Sequence, residues 1–127
     1  MTHGYDENRL RVMVVDDDVP ILQVVDDILS TEGFEVRAVP DSRSAVANAR
    51  DFRPDVALID LSMPGMDGVE VARAMRADPA LANVPIVMMS SHPDVRTRAK
   101  EAQVAVVLRK PFSVTGLLRV VRGEGTS

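Results

Sequence analysis

Acidic, hydroxyl and cationic residues stand behind short apolar runs in this sequence. Asp16, Asp17 and Asp18 follow Arg11 to Val15, Asp60 follows Val56 to Ile59, Ser90 and Ser91 follow Pro85 to Met89, and Lys110 comes just behind Val104 to Leu108. Carboxylates gathered at one place repel: two such charges at ~4 Å cost about 1 kcal/mol in bulk water and several times that near a protein surface. A hard divalent cation removes that cost. Mg²⁺ takes oxygen ligands, keeps several waters, and uses one or two carboxylates while phosphate oxygens complete its shell. Lys110 can neutralise Asp60 at rest and bind a phosphoryl oxygen when one arrives, and the Ser90 hydroxyl can donate to another. A nucleophilic carboxylate beside a cation cluster and a hydroxyl is the equipment for making and hydrolysing an aspartyl phosphate.

Each residue type also has an ordinary use. Adjacent aspartates serve turns and helix caps, a role that Asp18 fits best, as Ser91 does among the serines. Lysine is most often a surface residue. Asp60 resists such a reading, because Asp is depleted in strands and this one closes the apolar run Val56-Ala57-Leu58-Ile59.

The elements that must position these residues are legible as two periodicities. Arg11 to Val15, Phe34 to Val39, Val56 to Ile59, Pro85 to Met89 and Val104 to Leu108 carry apolar side chains at neighbouring positions, which predicts strands buried on both faces of a parallel sheet. Between them run helical stripes. Leu22, Val25, Ile28 and Leu29 form the first, with Pro20 in its first turn and Gly33 as its stop. Ala45, Val46 and Ala49, capped by Asp41 or Ser42, form the second, and Val69, Ala72 and Met75, ended by Asp78-Pro79, form the third. A weaker fourth stripe of Val95, Ala99 and Ala102 starts near Pro93, and Ser113 caps a fifth with Leu117, Leu118, Val120 and Val121 facing inward despite Gly116.

Strands alternating with helices demand right-handed crossovers, hence a doubly wound α/β domain with a five-stranded parallel sheet. Ligands of such sheets bind outside the carboxyl ends of the strands, where all the residues named above fall. The second run ends in Val39-Pro40 and contributes nothing polar, as suits an edge strand. Residues 1–9 read as a disordered lead-in and 123–127 as a flexible tail, leaving one domain over 10–122.

Composition narrows the function. A chain of 127 residues buries a real core as one domain without disulfide or structural metal. Its net charge of -4 excludes a strongly basic nucleic-acid binder, and no apolar run approaches the length of a membrane span. With no cysteine there are no disulfides, thiolate zinc sites or thiol nucleophiles, and the N-terminus lacks a signal pattern, so the expected compartment is the cytoplasm. Tyr5, Phe34, Phe52 and Phe112 are the only aromatic residues, which makes the core aliphatic and leaves no stacking platform for bases.

Four segments carry a specific likeness: Val14-Val15-Asp16-Asp17-Asp18, Asp60-Leu61-Ser62-Met63-Pro64-Gly65-Met66-Asp67-Gly68, Pro85-Ile86-Val87-Met88-Met89-Ser90-Ser91 and Lys110-Pro111-Phe112. In that order, at those strand ends, the chain resembles a receiver domain of the two-component response regulator family from about Arg11 to Arg122. The resemblance implies a flavodoxin-like (βα)5 fold with strand order 2-1-3-4-5. It makes Asp60 the phosphoacceptor and Mg²⁺ or Mn²⁺ the cofactor, bound by Asp16 through water, by Asp17, by Asp60 and by the Ser62 backbone carbonyl. It gives Ser90 and Lys110 the phosphoryl group, makes the peptide before Pro111 cis, and sets Ser62 and His92 beside the path of attacking water. The implied partners are a histidine kinase or histidine phosphotransfer protein and a downstream protein reached through the fourth helix, fifth strand and fifth helix, with no direct contact to nucleic acid or membrane. Such a module catalyses its own phosphorylation and dephosphorylation and is not otherwise an enzyme.

Two departures stand out. The family usually has Tyr or Phe three residues before the lysine, as a switch coupled to the hydroxyl, where this chain has Val107. The usual Gly-Ala pair ahead of the fifth strand is replaced by Gln103-Val104.

Other functions fit less well. A phosphohydrolase of the haloacid-dehalogenase type needs a second acid two residues after the nucleophile, where Ser62 stands, and an inserted cap to select a substrate. A flavodoxin-type or nucleotide-binding module would cradle phosphate with glycine, serine and threonine in the first turn, whereas Asp16-Asp17-Asp18 repels it without a metal. A receiver that serves only as a scaffold has no use for intact acids, Ser90 and Lys110. The few residues after Arg122 are too short for a helix-turn-helix, so output is expected through protein contact, unless an effector domain follows in a longer protein.

Overall fold

The computed structural model describes residues 9–127, so the expected lead-in lies outside the described residues except for Arg9. Arg9 itself is tied down, donating from Nε and Nη2 to the carbonyls of Gly33 and Phe34. The elements in order are β1 (Arg11–Val15), α1 (Val19–Thr31), β2 (Glu35–Val39), a 3-10 turn (Ser42–Ser44), α2 (Ala45–Phe52), β3 (Val56–Asp60), α3 (Gly68–Ala77), β4 (Ile86–Ser90), α4 (Val95–Glu101), β5 (Val106–Arg109) and α5 (Val114–Val121). All strand pairs are parallel, in the order β2-β1-β3-β4-β5. This is the expected doubly wound α/β fold.

Register is what assembles the rim. Val15 lies level with Val39 and Ile59, Asp60 with Met89, and Ser90 with Arg109. The strands therefore end together, and the residues that close them face one another.

Alternation along each strand sorts the core into two halves. Met13, Val15, Ala57, Ile59, Met88 and Val107 pack with α2, α3 and α4 through Ala49, Phe52, Val69, Ala72, Met75, Val95 and Ala99. Val12, Val14, Leu58, Val87, Met89 and Leu108 pack with α1 and α5 through Leu22, Val25, Leu29, Leu117, Val120 and Val121. The starts of α1, α3 and α5 follow cap chemistry. Asp18 accepts from the Ile21 N–H, Ser113 from Gly116, and Asp67 forms a reciprocal capping box with Glu70.

Strands β2, β3 and β4 differ from the apolar runs by a single residue at one or both ends, and three larger differences have a physical reason. Asp41 caps the 3-10 turn, accepting from the Arg43 N–H, so α2 itself begins only at Ala45. β5 starts at Val106, because Gln103 takes a left-handed φ of 58° and the Val104 N–H closes the end of α4 on the Ala99 carbonyl. Residues 123–127, expected to be a flexible tail, instead turn back along β5: the Ser127 N–H donates to the Val107 carbonyl at 2.9 Å and the Arg109 N–H to the Ser127 carbonyl at 2.9 Å. An outermost strand offers unpaired backbone groups, and this segment takes them.

Of the two glycines in the loop after Asp60, Gly65 serves the turn itself, with φ +84°. Gly68 answers a different need. It opens α3 against the end of β3, where a Cβ would stand 2.8 Å from Met88 Sδ and 2.9 Å from Leu61 Cα, and closer still to the Asp60 carbonyl oxygen. Gly68→Ala should destabilise the fold by ~1–3 kcal/mol, the usual range for overpacking a tight site. Urea unfolding followed by circular dichroism measures it, and an unchanged midpoint would show that α3 can back away from Asp60 without penalty.

Candidate functional site

The first residue beyond β1 is Asp16, fully buried, its N–H held by the Val39 carbonyl at 3.2 Å. Its Oδ1 accepts the Asp18 N–H at 3.0 Å, leaving Oδ2 for Lys110 Nζ at 2.8 Å. Asp60 closes β3, is 6% exposed, and accepts from the same ammonium at 3.1 Å. Asp17 sits at the exposed mouth, and carboxylate oxygens of Asp16, Asp17 and Asp60 all lie within 4.8 Å of one another. Lys110 is placed by its own backbone, whose N–H donates to the Ser90 carbonyl at 3.0 Å, and the Lys110-Pro111 peptide is cis as expected.

Ser90 closes β4 and is buried. Its Oγ accepts the His92 N–H at 2.9 Å, so its own proton remains free to be donated. Ser62 stands exposed two residues past Asp60. His92 is mostly exposed, and its Nδ1 accepts the Asp94 N–H at 3.1 Å at the start of α4. Ser91 lies exposed in the bend after β4. The structure thus brings Asp16, Asp17, Asp60 and Lys110 into one cluster, puts Ser90 on the adjacent strand end, and leaves Ser62 and His92 on the approach.

The electrostatics are unbalanced. Burial, then the neighbouring Asp16 charge and to a lesser degree Asp17, push the Asp60 carboxyl up from 3.8 to about 6, against the pull of Lys110. Burial pushes Lys110 down, but its hydrogen bond to Asp16 and the charges of Asp60 and Asp16 outweigh that and raise it. One ammonium among three carboxylates leaves surplus negative charge at a rim of hard oxygen donors. That donor set fits Mg²⁺ or a similar hard cation and would not favour a soft one.

Sequence reasoning missed exposed apolar surface on α1 and α5 and an apolar groove beside the site. Val19 and Val24 of α1 and Val114 of α5 are 60%, 52% and 52% exposed. Ile21, Val24, Pro111 and Phe112 line a groove that opens beside Lys110. The signal was present in Val24, which falls off the buried stripe of α1.

Comparison with known proteins agrees with the fold. The response regulator receiver domain family matches residues 12–122, and the chain belongs to that family. It is 36% identical over 121 residues to the DNA-binding response regulator MtrA of Mycobacterium tuberculosis, covering 94% of this chain and 52% of the relative. To the transcriptional regulatory protein PrrA of Mycobacterium leprae it is 38% identical over 112 residues, covering 88% and 48%. The chain spans about half the length of these curated relatives. Among solved structures it superposes on the Vibrio cholerae chemotaxis response regulator CheY4 with a TM-score of 0.85 and 32% identity, covering 91% of this chain and 98% of that one. It also superposes on the receiver domain of NtrX from Brucella abortus with a TM-score of 0.79 and 30% identity, covering 88% and 95%. The chain is a receiver domain of the two-component response regulator class.

The raised Asp60 carboxyl fixes a pH dependence. A carboxyl that holds its proton more tightly folded than unfolded makes stability fall as pH rises through the interval from 3.8 to about 6. Above that interval the ionised group costs on the order of 1–3 kcal/mol, since each tenfold change in proton affinity is worth about 1.4 kcal/mol before solvent screening is allowed for. Asp60→Asn should therefore stabilise the metal-free protein by ~1–3 kcal/mol at pH 7.5, with the gain shrinking toward pH 4. Denaturant titrations at the two pH values test this. An Asn variant less stable than the parent at pH 7.5 would mean that Lys110 overcompensates the burial.

Proposed function

We propose that Asp60 accepts a phosphoryl group from the phosphohistidine of a histidine kinase or phosphotransfer protein, and that this chain signals by protein contact. The observation that carries the reading is the cluster itself: three carboxylates within 4.8 Å of one another, two of them bridged by Lys110 Nζ at 2.8 and 3.1 Å. In transfer, an Asp60 Oδ attacks phosphorus as the phosphorus–nitrogen bond to the donor imidazole breaks, and the bonding pair leaves on that nitrogen. Lys110 exchanges its contact with Asp60 for a phosphoryl oxygen, and the Ser90 hydroxyl donates to another. Asp16, Asp17, Asp60 and the Ser62 carbonyl would hold Mg²⁺ or Mn²⁺, which when bound supplies positive charge against the phosphoryl oxygens. Water attacking phosphorus then returns inorganic phosphate and the free carboxylate, both steps being catalysed by the chain's own residues.

A protein donor is supported by the apolar groove of Ile21, Val24, Pro111 and Phe112 that opens beside Lys110, since exposed apolar surface beside a site marks a place for a partner. The charge balance gives no reason to expect nucleic-acid contact from residues 1–127. The names of MtrA and PrrA attribute DNA binding or transcriptional regulation to proteins about twice this length, so that expectation is confined to the present residues. Among the described residues no helix is long and apolar enough to cross a membrane. A cytoplasmic location accords with that and with a kinase partner.

Incubation with acetyl phosphate and Mg²⁺ should add the mass of one phosphoryl group, and EDTA or Asp60→Asn should abolish the gain. Labelling that survives either treatment would move the phosphoacceptor elsewhere or remove the metal from the reaction.

The route outward from the site must do without an aromatic switch. Val107 is 1% exposed and locked among the residues that face α4, with one torsion and no ring to turn. α4 is the loose element. It runs only from Val95 to Glu101, lacks a side-chain cap at Asp94, and is held to Asp67 by an exposed ion pair from Arg98 at 3.3 Å, a kind of contact worth ~0–1 kcal/mol. Binding of beryllofluoride, a phosphoryl mimic, should shift NMR resonances mainly over residues 90–101. Large shifts in α5 with a quiet α4 would sink this route.

A further inference from the structure

Gly116 stands inside α5, where glycine is a poor helix former, and nothing in the phosphoryl site requires it. Its surroundings supply the reason. A Cβ at this position would stand 2.6 Å from Ser127 Oγ and 3.4 Å from Ser127 Cβ. Ser113 Oγ would lie 3.2 Å from it as well, so residues 113 and 127 together crowd this point of the helix.

The path of that segment is specific. α5 ends in a Schellman arrangement: Gly123, with φ +77°, donates its N–H to the Val120 carbonyl, and Glu124 donates to Arg119 at 2.9 Å. Gly125, with φ +104°, then reverses the chain. Thr126 and Ser127 run parallel to β5. Thr126 Oγ1 accepts the Val107 N–H at 3.1 Å, the Ser127 N–H donates to the Val107 carbonyl at 2.9 Å, and the Ser127 carbonyl accepts the Arg109 N–H at 2.9 Å. These β5 groups point away from β4, toward the open edge of the sheet.

We propose that residues 123–127 are a strap that occupies the strand-accepting edge of β5 in cis and must leave before another extended segment can add to that edge. Two independent features support it. The hydrogen bonds use the backbone pattern by which a parallel strand extends a sheet, and Gly116 provides the room. The strap has little to anchor it besides these bonds. Ser127 is exposed, and two of the five residues are glycines, which lose the most freedom on ordering. Such a cover is removable, and it lies on the face formed by β5 and α5. The inference rests on the edge geometry and not on the phosphoryl chemistry.

Amide exchange read by NMR tests it on the 127-residue chain and two variants. Ser127→Pro removes the donor to Val107, and Gly116→Leu fills the space under Ser127 from the α5 side. Both should speed exchange of the Val107 and Arg109 amides by roughly tenfold or more while Met13 and Leu58 in the central strands stay protected, as expected for local opening. A peptide of residues 122–127 should restore protection in the Ser127→Pro protein and change nothing in the unaltered chain. Equal exchange of Val107 and Arg109 in parent and variants would overturn the proposal. So would a peptide that protects the unaltered chain as well, because the edge would then already be open. Gly116→Leu keeps the test decisive if Ser127→Pro disturbs the turn at Gly125.

Discussion

Lys110 holds one ammonium between two carboxylates that are 94 and 50 residues away in the chain. That contact forms only when β1, β3 and β5 end level, so it reports the whole topology at one point. Buried charges are tolerated when paired and hydrogen-bonded, and Asp16 meets that condition through Lys110 and the Asp18 N–H. Asp60 meets it only in part, which is why its carboxyl is pushed up to about 6. The deficit at Asp60 is one that the rest of the fold must outweigh.

The means of outweighing it is a largely aliphatic core divided in two by the sheet. Every central strand is buried on both faces, and successive residues feed opposite halves of the core. Sliding a strand by one position would exchange the halves and also lift Asp16 or Asp60 off the rim, so packing and chemistry select the same register. Gly68 extends this logic to the loop side. Because α3 begins in contact with the backbone of Asp60 and Leu61, Asp60 is braced from behind and not merely placed at a strand end.

Much of this was legible in the sequence because it is written in periodicity and in residue types that have few other uses. Apolar runs and stripes locate the strands and helices, and Asp60 at the end of an apolar run has few explanations. The less legible parts depend on proximity across the fold. Nothing in the spacing says that Gly68 is needed for close approach and Gly65 for a turn, since both are glycines in one loop. Val104 reads as strand because it is β-branched beside other apolar residues, yet it is spent on closing α4 after Gln103 turns left-handed. Residues 123–127 look unstructured by composition, and only the open edge of β5 gives them a place.

Val107 joins these threads. Its side chain faces α4, and its backbone N–H and carbonyl face residues 126 and 127, so one residue touches both. An aromatic residue here would couple the two through a ring that must occupy one place or another. Valine has no such pair of states, and the coupling is confined to the backbone of β5, a short strand fixed to β4 on its other side. The expected consequence is a receiver in which α4 answers the phosphoryl group while the strap answers competing strands. A conformational change can be driven only by contacts that differ between states, and here the two candidate movers make their contacts with different ligands.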